Sequence, residues 1–159
     1  MKISDEHFKK LVNPLLGLPI SRIWRGYGTS LFIELGKLST KSNRLKNGKR
    51  ISYRVGQISI FVGWDWRIEC TKSIYFGSWS KDKIVNSRLP QLKGRTIISV
   101  DYEGRLPELV IKLSDGLWIH SFHVGSTGDT HPAWHIHYRK KGSHLFVGSY
   151  LGGLAKHNS

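Results

Sequence analysis

The sequence predicts a mainly β protein, an antiparallel β-sandwich or barrel with one short N-terminal helix. Three observations carry this prediction: apolar and polar residues alternate, the alternating stretches follow one another at short spacing, and turn dipeptides separate them. The clearest stretch runs from Ile58 to Cys70, where every even-numbered residue is apolar. A period of two is typical of a strand with one buried face. We therefore expect Trp64 and Trp66 to lie in the core.

The single predicted helix lies at the start of the chain. Ser4 is a suitable N-cap, Phe8 and Leu11 share one face, and Asn13-Pro14 ends the helix because the residue before proline is driven out of the helical region. Further strands are predicted near residues 20–25, 29–35, 72–78, 96–102, 108–113, 117–123, 133–138 and 144–150. Asp115-Gly116 favours a type I′ turn between two of these strands.

Parts of the chain resemble one another. Gly17 recurs as Gly94 at an offset of 77, and Trp66 recurs as Trp134 at an offset of 68. This order of glycines and strands indicates two duplicated β units, at residues 16–70 and 92–138, within a single domain spanning residues 1–159. A chance alignment of alternating strands is the alternative explanation.

The alignment isolates a long basic segment. Between Leu35 and Gly56 the first unit has 20 residues, whereas the second has two residues between Leu113 and Gly116. We expect residues 37–54 to form a flexible basic loop, because a long polar excursion in place of a tight turn is typical of a functional segment. Its cations are the predicted phosphate contacts: Lys37, Lys41, Arg44, Lys46, Lys49 and Arg50. A second predicted anchor consists of Arg139, Lys140 and Lys141.

The charge balance favours an anionic partner. The chain has 25 Lys and Arg against 11 Asp and Glu, a formal net charge of +14. A field of this sign attracts polyanions, among which nucleic acid is the leading candidate. Trp24, Tyr27 and Tyr53 lie beside turns and cations and are the predicted base-stacking residues. No zinc-finger spacing, leucine-zipper heptad or aromatic RNA-recognition motif is present.

Histidines offer an alternative chemistry. His135 and His137 share one face of a predicted strand, and His120 on a neighbouring strand completes a three-histidine set for zinc and a metal-assisted phosphodiesterase. The phosphate-binding loop and the serine nucleophile elbow are both absent from the sequence. The favoured interpretation is therefore binding without turnover and without a cofactor.

Two further interpretations remain open at this point. One is a protein–protein interaction module, such as an inhibitor, immunity protein or adaptor, that docks an acidic partner. The other is a sponge for small anionic nucleotides. Cys70 is the only cysteine, and no apolar run approaches the ~20 residues of a membrane helix. We therefore expect a cytoplasmic protein with no membrane partner; its oligomeric state is left open.

Overall fold

The computed structural model describes residues 1–124, 132–140, 143–150 and 153–159. These residues form two α-helices and thirteen β-strands. The helices are α1 (Asp5–Val12) and α2 (Asp82–Arg88), each followed by a short 3₁₀ turn. The strands are β1 (Ile20–Arg25), β2 (Leu31–Leu35), β3 (Ser39–Arg44), β4 (Arg50–Val55), β5 (Ile58–Val62), β6 (Trp66–Glu69), β7 (Ile74–Gly77), β8 (Ile97–Glu103), β9 (Glu108–Leu113), β10 (Leu117–Ser121), β11 (Trp134–Lys140), β12 (Ser143–Tyr150) and β13 (Gly153–Asn158).

The strands form an antiparallel β-sandwich, which confirms the predicted fold class. One sheet has six strands in the order β1-β2-β5-β11-β12-β13, and the other has five in the order β7-β6-β10-β9-β8. A single cluster of buried apolar side chains lies between them, with Trp66 and Trp134 completely buried. Phe8 from α1 and Val85 from α2 also belong to this cluster, so both helices pack on the core.

Local sequence accounts for these elements. In β11, Trp134 and Ile136 are buried whereas His135 and His137 lie on the opposite face, as the period of two requires. The side chain of Ser4 accepts the backbone N–H of His7 at 3.2 Å and caps α1.

The predicted turn between β9 and β10 has the backbone that its sequence favours. Asp115 and Gly116 both have positive φ angles, 62° and 73°, as a type I′ turn demands. This tight connection is the counterpart of the long segment between β2 and β5.

The two halves of the chain match in their contacts. The backbone N–H of Gly17 donates to the carbonyl of Ile97 at 2.8 Å, and that of Gly94 donates to the carbonyl of Ile20, also at 2.8 Å. These residues correspond at an offset of 77, so the two bonds join equivalent positions of the repeat that the sequence predicts.

The halves also exchange strands. Strand β6 of the first half pairs with β10, and β11 of the second half pairs with β5. Trp66 lies opposite Ser121 and Trp134 lies opposite Val62, at matched ends of β10 and β5. Each indole N–H donates to a matched backbone carbonyl, that of Thr29 at 2.6 Å for Trp66 and that of Pro107 at 2.8 Å for Trp134. As a result, each large sheet contains strands from both halves of the chain.

Three sequence expectations need correction. The chain has a second helix, α2, which corresponds to α1 at the same offset of 77. Residues 37–54 are not a loop, because β3 and β4 form a third, two-stranded sheet. Trp64 is 55% exposed rather than buried, because the strand predicted from Ile58 to Cys70 breaks into β5 and β6 around it. Within the described residues, no helix has the length and apolar character needed to cross a membrane.

Candidate functional site

The basic segment folds into a β-ribbon. We use this name for β3, β4 and their connecting turn, residues 39–55. The ribbon strands pair only with each other, and all their residues are exposed except Val55 at the base. Gly48 has a φ of 81°, and the N–H of Leu45 donates to the carbonyl of Lys49 at 2.7 Å to close the turn. Five of the six phosphate contacts predicted in this segment, all but Lys37, therefore lie on an ordered arm. The arm contacts the six-stranded sheet near its base, where the Arg22 guanidinium donates to the Arg54 carbonyl at 2.9 Å.

A buried carboxylate holds the base of the ribbon. Glu34 is only 5% exposed and accepts the backbone N–H of Gly56 at 2.9 Å and the hydroxyl of Ser59. The Arg139 guanidinium donates to the same Ser59 hydroxyl at 2.5 Å and lies 3.7 Å from the Glu34 carboxylate. Arg139, which was predicted as a phosphate anchor, thus also neutralises a buried charge.

Strand register divides the ribbon side chains between two faces. Cross-strand partners share a face, and successive residues alternate. The tyrosine face consists of Ser39, Lys41, Asn43, Ile51, Tyr53 and Val55. The arginine face consists of Thr40, Ser42, Arg44, Arg50, Ser52 and Arg54. Every side chain on the arginine face carries either a positive charge or a hydroxyl group. Arg54 lies on this face although it is not among the phosphate contacts predicted from the sequence.

The ribbon concentrates unpaired positive charge. Between Glu34 and Asp65 there are seven Lys and Arg residues and no Asp or Glu, which is half of the formal net charge of +14. Six of the seven lie in the ribbon, and Lys37 lies just before it. None of the seven forms an ion pair with a carboxylate of the described residues, whereas some cations elsewhere do: Arg25 with Asp82, Arg67 with Glu69, and Arg95 with Asp115. Arg44 even lies directly opposite Arg50, an arrangement of like charges that destabilises a strand pair.

A shallow cleft of about 510 Å³ adjoins the ribbon base. Its lining brings three of the predicted site residues together: Lys37, Lys41 and Arg139, with Ser39, Gly56 and Gln57. The Gln57 side-chain oxygen accepts the backbone N–H of Lys37 at 2.9 Å, which fixes the backbone of that wall. Lys140 is exposed at the end of β11, and Lys141 lies outside the described residues.

The predicted stacking residues occupy different environments. Trp24 stacks on Phe32 with ring centroids 5.3 Å apart, and the Arg22 guanidinium lies 4.4 Å from the centroid of the Trp24 ring, so this ring already has stacking partners within the protein. Tyr27 is 88% exposed at the β1–β2 turn. Tyr53 lies on the tyrosine face opposite Lys41 and is 40% exposed.

Trp24 begins a row of aromatic rings across the outer face of the six-stranded sheet. Phe61 lies 5.2 Å from Phe32, and His135 stacks on Phe61 at 5.1 Å between ring centroids. The ring of His137 stacks on Phe146 at 4.3 Å. These rings are half-buried. The face that carries the histidines is therefore less solvated than a fully exposed strand face.

The environment of this row keeps two histidines neutral. Burial lowers the pKa of His135 from 6.5 to about 4. Burial also lowers the pKa of His137 to about 4, with smaller contributions from Arg139, His144 and His135. The Nδ1 atom of His135 is buried and has no hydrogen-bond partner among the described residues.

The three histidines proposed for zinc do not meet. His120 lies on β10 in the five-stranded sheet, where it contacts Glu103 at 2.6 Å, whereas His135 and His137 lie on β11 in the six-stranded sheet. Within the described part of the chain, no group of three or more His, Cys, Asp or Glu side chains is placed to hold a metal ion. The zinc site predicted from His120, His135 and His137 is therefore wrong.

A second exposed surface lies away from the ribbon, at the turns that follow β1, β5 and β7. We call it the aromatic tip; it consists of Tyr27, Trp64 and Trp79, which are 88%, 55% and 77% exposed. The hydroxyl of Thr29 donates to the carbonyl of Trp64 at 2.5 Å, and the Trp79 indole donates to Asp65 at 3.0 Å. The rings are thus held on anchored turns.

Comparison with known proteins gives no relative. No family model, curated protein or solved structure matches the chain.

Proposed function

We propose that the chain binds a polyanion without turnover, with nucleic acid as the leading candidate, and that the ribbon is the contact surface. The observation that carries this proposal is the ordered arm with six cations, no acid and no ion pair to a described carboxylate. Elsewhere in the fold, Arg25 of β1, Arg67 of β6 and Arg95 before β8 each pair with a carboxylate. An anionic ligand would supply the negative charge that the protein itself does not place beside the ribbon cations.

Counterion release gives the proposal a magnitude. Each phosphate that a cation neutralises releases condensed counterions, so affinity falls steeply with salt. If about six ribbon cations reach phosphates, affinity should fall by about three decades between 50 and 200 mM salt. The neighbouring cleft, with Lys37, Lys41 and Arg139 on its walls, would hold a further phosphate. The lone Cys70 supports a reducing, cytoplasmic site of action.

The decisive variant shortens the ribbon. Residues 40–54 are replaced by Asn-Gly, which joins the paired residues Ser39 and Val55 through a two-residue turn. The second variant replaces the six cations of the predicted basic loop, five in the ribbon and Lys37 just before it, by serine: Lys37, Lys41, Arg44, Lys46, Lys49 and Arg50. The control replaces six exposed cations outside the ribbon by serine: Lys9, Lys72, Lys83, Lys93, Arg105 and Lys112.

Affinity for DNA, RNA and heparin is measured across salt by fluorescence anisotropy, with circular dichroism to verify folding. Both ribbon variants should lose most of the affinity and most of the salt slope, whereas the control, with the same charge removed, should keep both. Equal losses in control and ribbon variants would mean that net charge acts without a specific surface. Absence of polyanion binding by the wild type would overturn the proposal.

The aromatic tip supports a second candidate function, a protein–protein interaction module. Exposed Trp and Tyr on anchored turns are the residue types that dominate protein interfaces. A stoichiometric partner retained after nuclease treatment should be lost when Tyr27 and Trp79 are replaced by serine. It should be kept when Ile74 and Leu106, which are 61% and 69% exposed, are replaced instead. A partner unaffected by the tip variant would exclude this surface.

A further inference from the structure

The ribbon has the shape of an element that enters a nucleic-acid groove. Its strands have six residues each, which gives a length of about 20 Å. Two strands lie about 5 Å apart, and such a ribbon fits the B-form major groove, which is about 12 Å wide. The ribbon pairs with neither large sheet, and all its strand residues except Val55 are exposed, so both of its faces are open to a ligand. Near its base the Arg22 guanidinium donates to the Arg54 carbonyl at 2.9 Å.

The arginine face carries the chemistry that reads this groove. We propose that duplex DNA is the partner and that the ribbon enters its major groove with the arginine face toward the base edges; this rests on the polyanion-binding function proposed above. An arginine fork binds the O6 and N7 acceptors of guanine bidentately, and hydroxyls contact either base edges or phosphates. The face offers three such forks, from Arg44, Arg50 and Arg54, beside Thr40, Ser42 and Ser52.

The spacing of these arginines matches a groove. Arg44 and Arg50 lie side by side across the strands near the turn, and Arg54 lies four residues further along β4. Four strand residues span about 13 Å, which equals about four base-pair steps along the duplex. The arginine pair and Arg54 can therefore address bases at two separate positions of one site.

Two arguments favour duplex DNA over single strands and duplex RNA. Proteins hold single strands by stacking bases on aromatic rings, but the only aromatic residue of the ribbon, Tyr53, lies on the other face. Duplex RNA has a deep and narrow major groove that side chains cannot read. The lysines Lys41, Lys46 and Lys49 lie off the arginine face, on the tyrosine face and at the turn, where they would neutralise flanking phosphates.

The test compares two triple variants of the full chain that remove equal charge. One replaces Arg44, Arg50 and Arg54 by glutamine, and the other replaces Lys41, Lys46 and Lys49 by glutamine. The probes are a GC-rich DNA duplex of about 20 base pairs, one of its strands, an RNA duplex of the same sequence, heparin, and the DNA duplex with 7-deazaguanine, which lacks the N7 acceptor.

The wild type should prefer the DNA duplex over the single strand and the RNA duplex by about tenfold or more. The arginine variant should lose that preference and become insensitive to 7-deazaguanine, whereas the lysine variant should bind every probe more weakly but keep the preference. A wild type that binds single strands or duplex RNA as tightly, or that ignores 7-deazaguanine, would overturn the major-groove inference and leave polyanion binding intact. If no probe binds at all, both proposals fail.

Discussion

Acid sensitivity provides a quantitative test of the aromatic row. The pKa of His135 falls from 6.5 to about 4 because the ring is buried between Phe61 and Phe146. The unfolded chain therefore binds a proton near pH 6.5 that the folded chain takes up only near pH 4. Stability should be complete above about pH 6.5 and should decline as the pH falls toward 4.

The size of the effect follows from the shift. A difference of about 2.5 pKa units corresponds to about 3 kcal/mol of unfolding free energy at most, and to about 2 kcal/mol at pH 5, where the folded His135 is still mostly neutral. His137 has a similar shift but is more accessible, so we expect about 1 kcal/mol from it after allowance for solvent screening.

The variant His135→Phe isolates the larger contribution. Phenylalanine keeps the ring stack on Phe61 and removes both the titrating group and the unpartnered Nδ1 atom. Urea unfolding at about pH 7.5 and pH 5 should show that the variant loses about 2 kcal/mol less than the wild type over this interval. The control His123→Gln changes an exposed histidine and should keep the wild-type pH dependence. A His135→Phe variant with the same loss as the wild type would refute the assignment of the acid sensitivity to His135.

Two pairs of substitutions test the close packing at Gly148 and the buried carboxylate of Glu34. In Gly148→Ala the new Cβ would lie 2.3 Å from the carbonyl oxygen of Trp134, whereas in the matched Gly77→Ala it would lie 3.0 Å from the carbonyl oxygen of Trp66. Thermal unfolding should show that Gly148→Ala lowers the free energy of unfolding by about 2 kcal/mol or more and that Gly77→Ala lowers it by less. Glu34→Ala removes the buried acceptor beside Arg139 and should lower the free energy of unfolding by about 3 kcal/mol in urea unfolding. Glu34→Gln should lower it by less, because the amide oxygen still accepts a hydrogen bond. Equal losses in the two variants would mean that the hydrogen bonds to the Glu34 oxygen contribute little.

The sandwich strands were predictable because burial imposes a period of two on the sequence. The predicted strands at 20–25 and 108–113 coincide with β1 and β9, since their apolar residues face one core. The ribbon escaped this pattern because neither of its faces is buried, so β3 and β4 have no apolar repeat. The available signal was Asn47-Gly48, a dipeptide that favours a hairpin turn even between polar strands.

The errors at the histidines and at Trp64 have a common cause in long-range topology. The exchange of β6 and β11 between the halves decides which strands are neighbours, and it separates His120 from His135 and His137. No local pattern records that exchange. The break after Val62 that carries the chain from one sheet to the other turns Trp64 outward, although its phase in the sequence is that of a buried residue.

The difference between the two halves strengthens the case for a ligand on the ribbon. Three residues, Ser114-Asp115-Gly116, suffice to join β9 to β10, so closing the matching hairpin between β2 and β5 does not require residues 36–57. The ribbon strands bury only Val55, and an isolated hairpin of exposed residues is marginally stable. Its six cations repel one another, which further destabilises the ribbon. The half that carries the ribbon has Glu34 at its base, where the other half has Lys112 at the corresponding position, offset by 78. The sandwich thus carries a ribbon that its own stability does not require. The unpaired positive charge of this ribbon is what we expect of a surface that binds an anion.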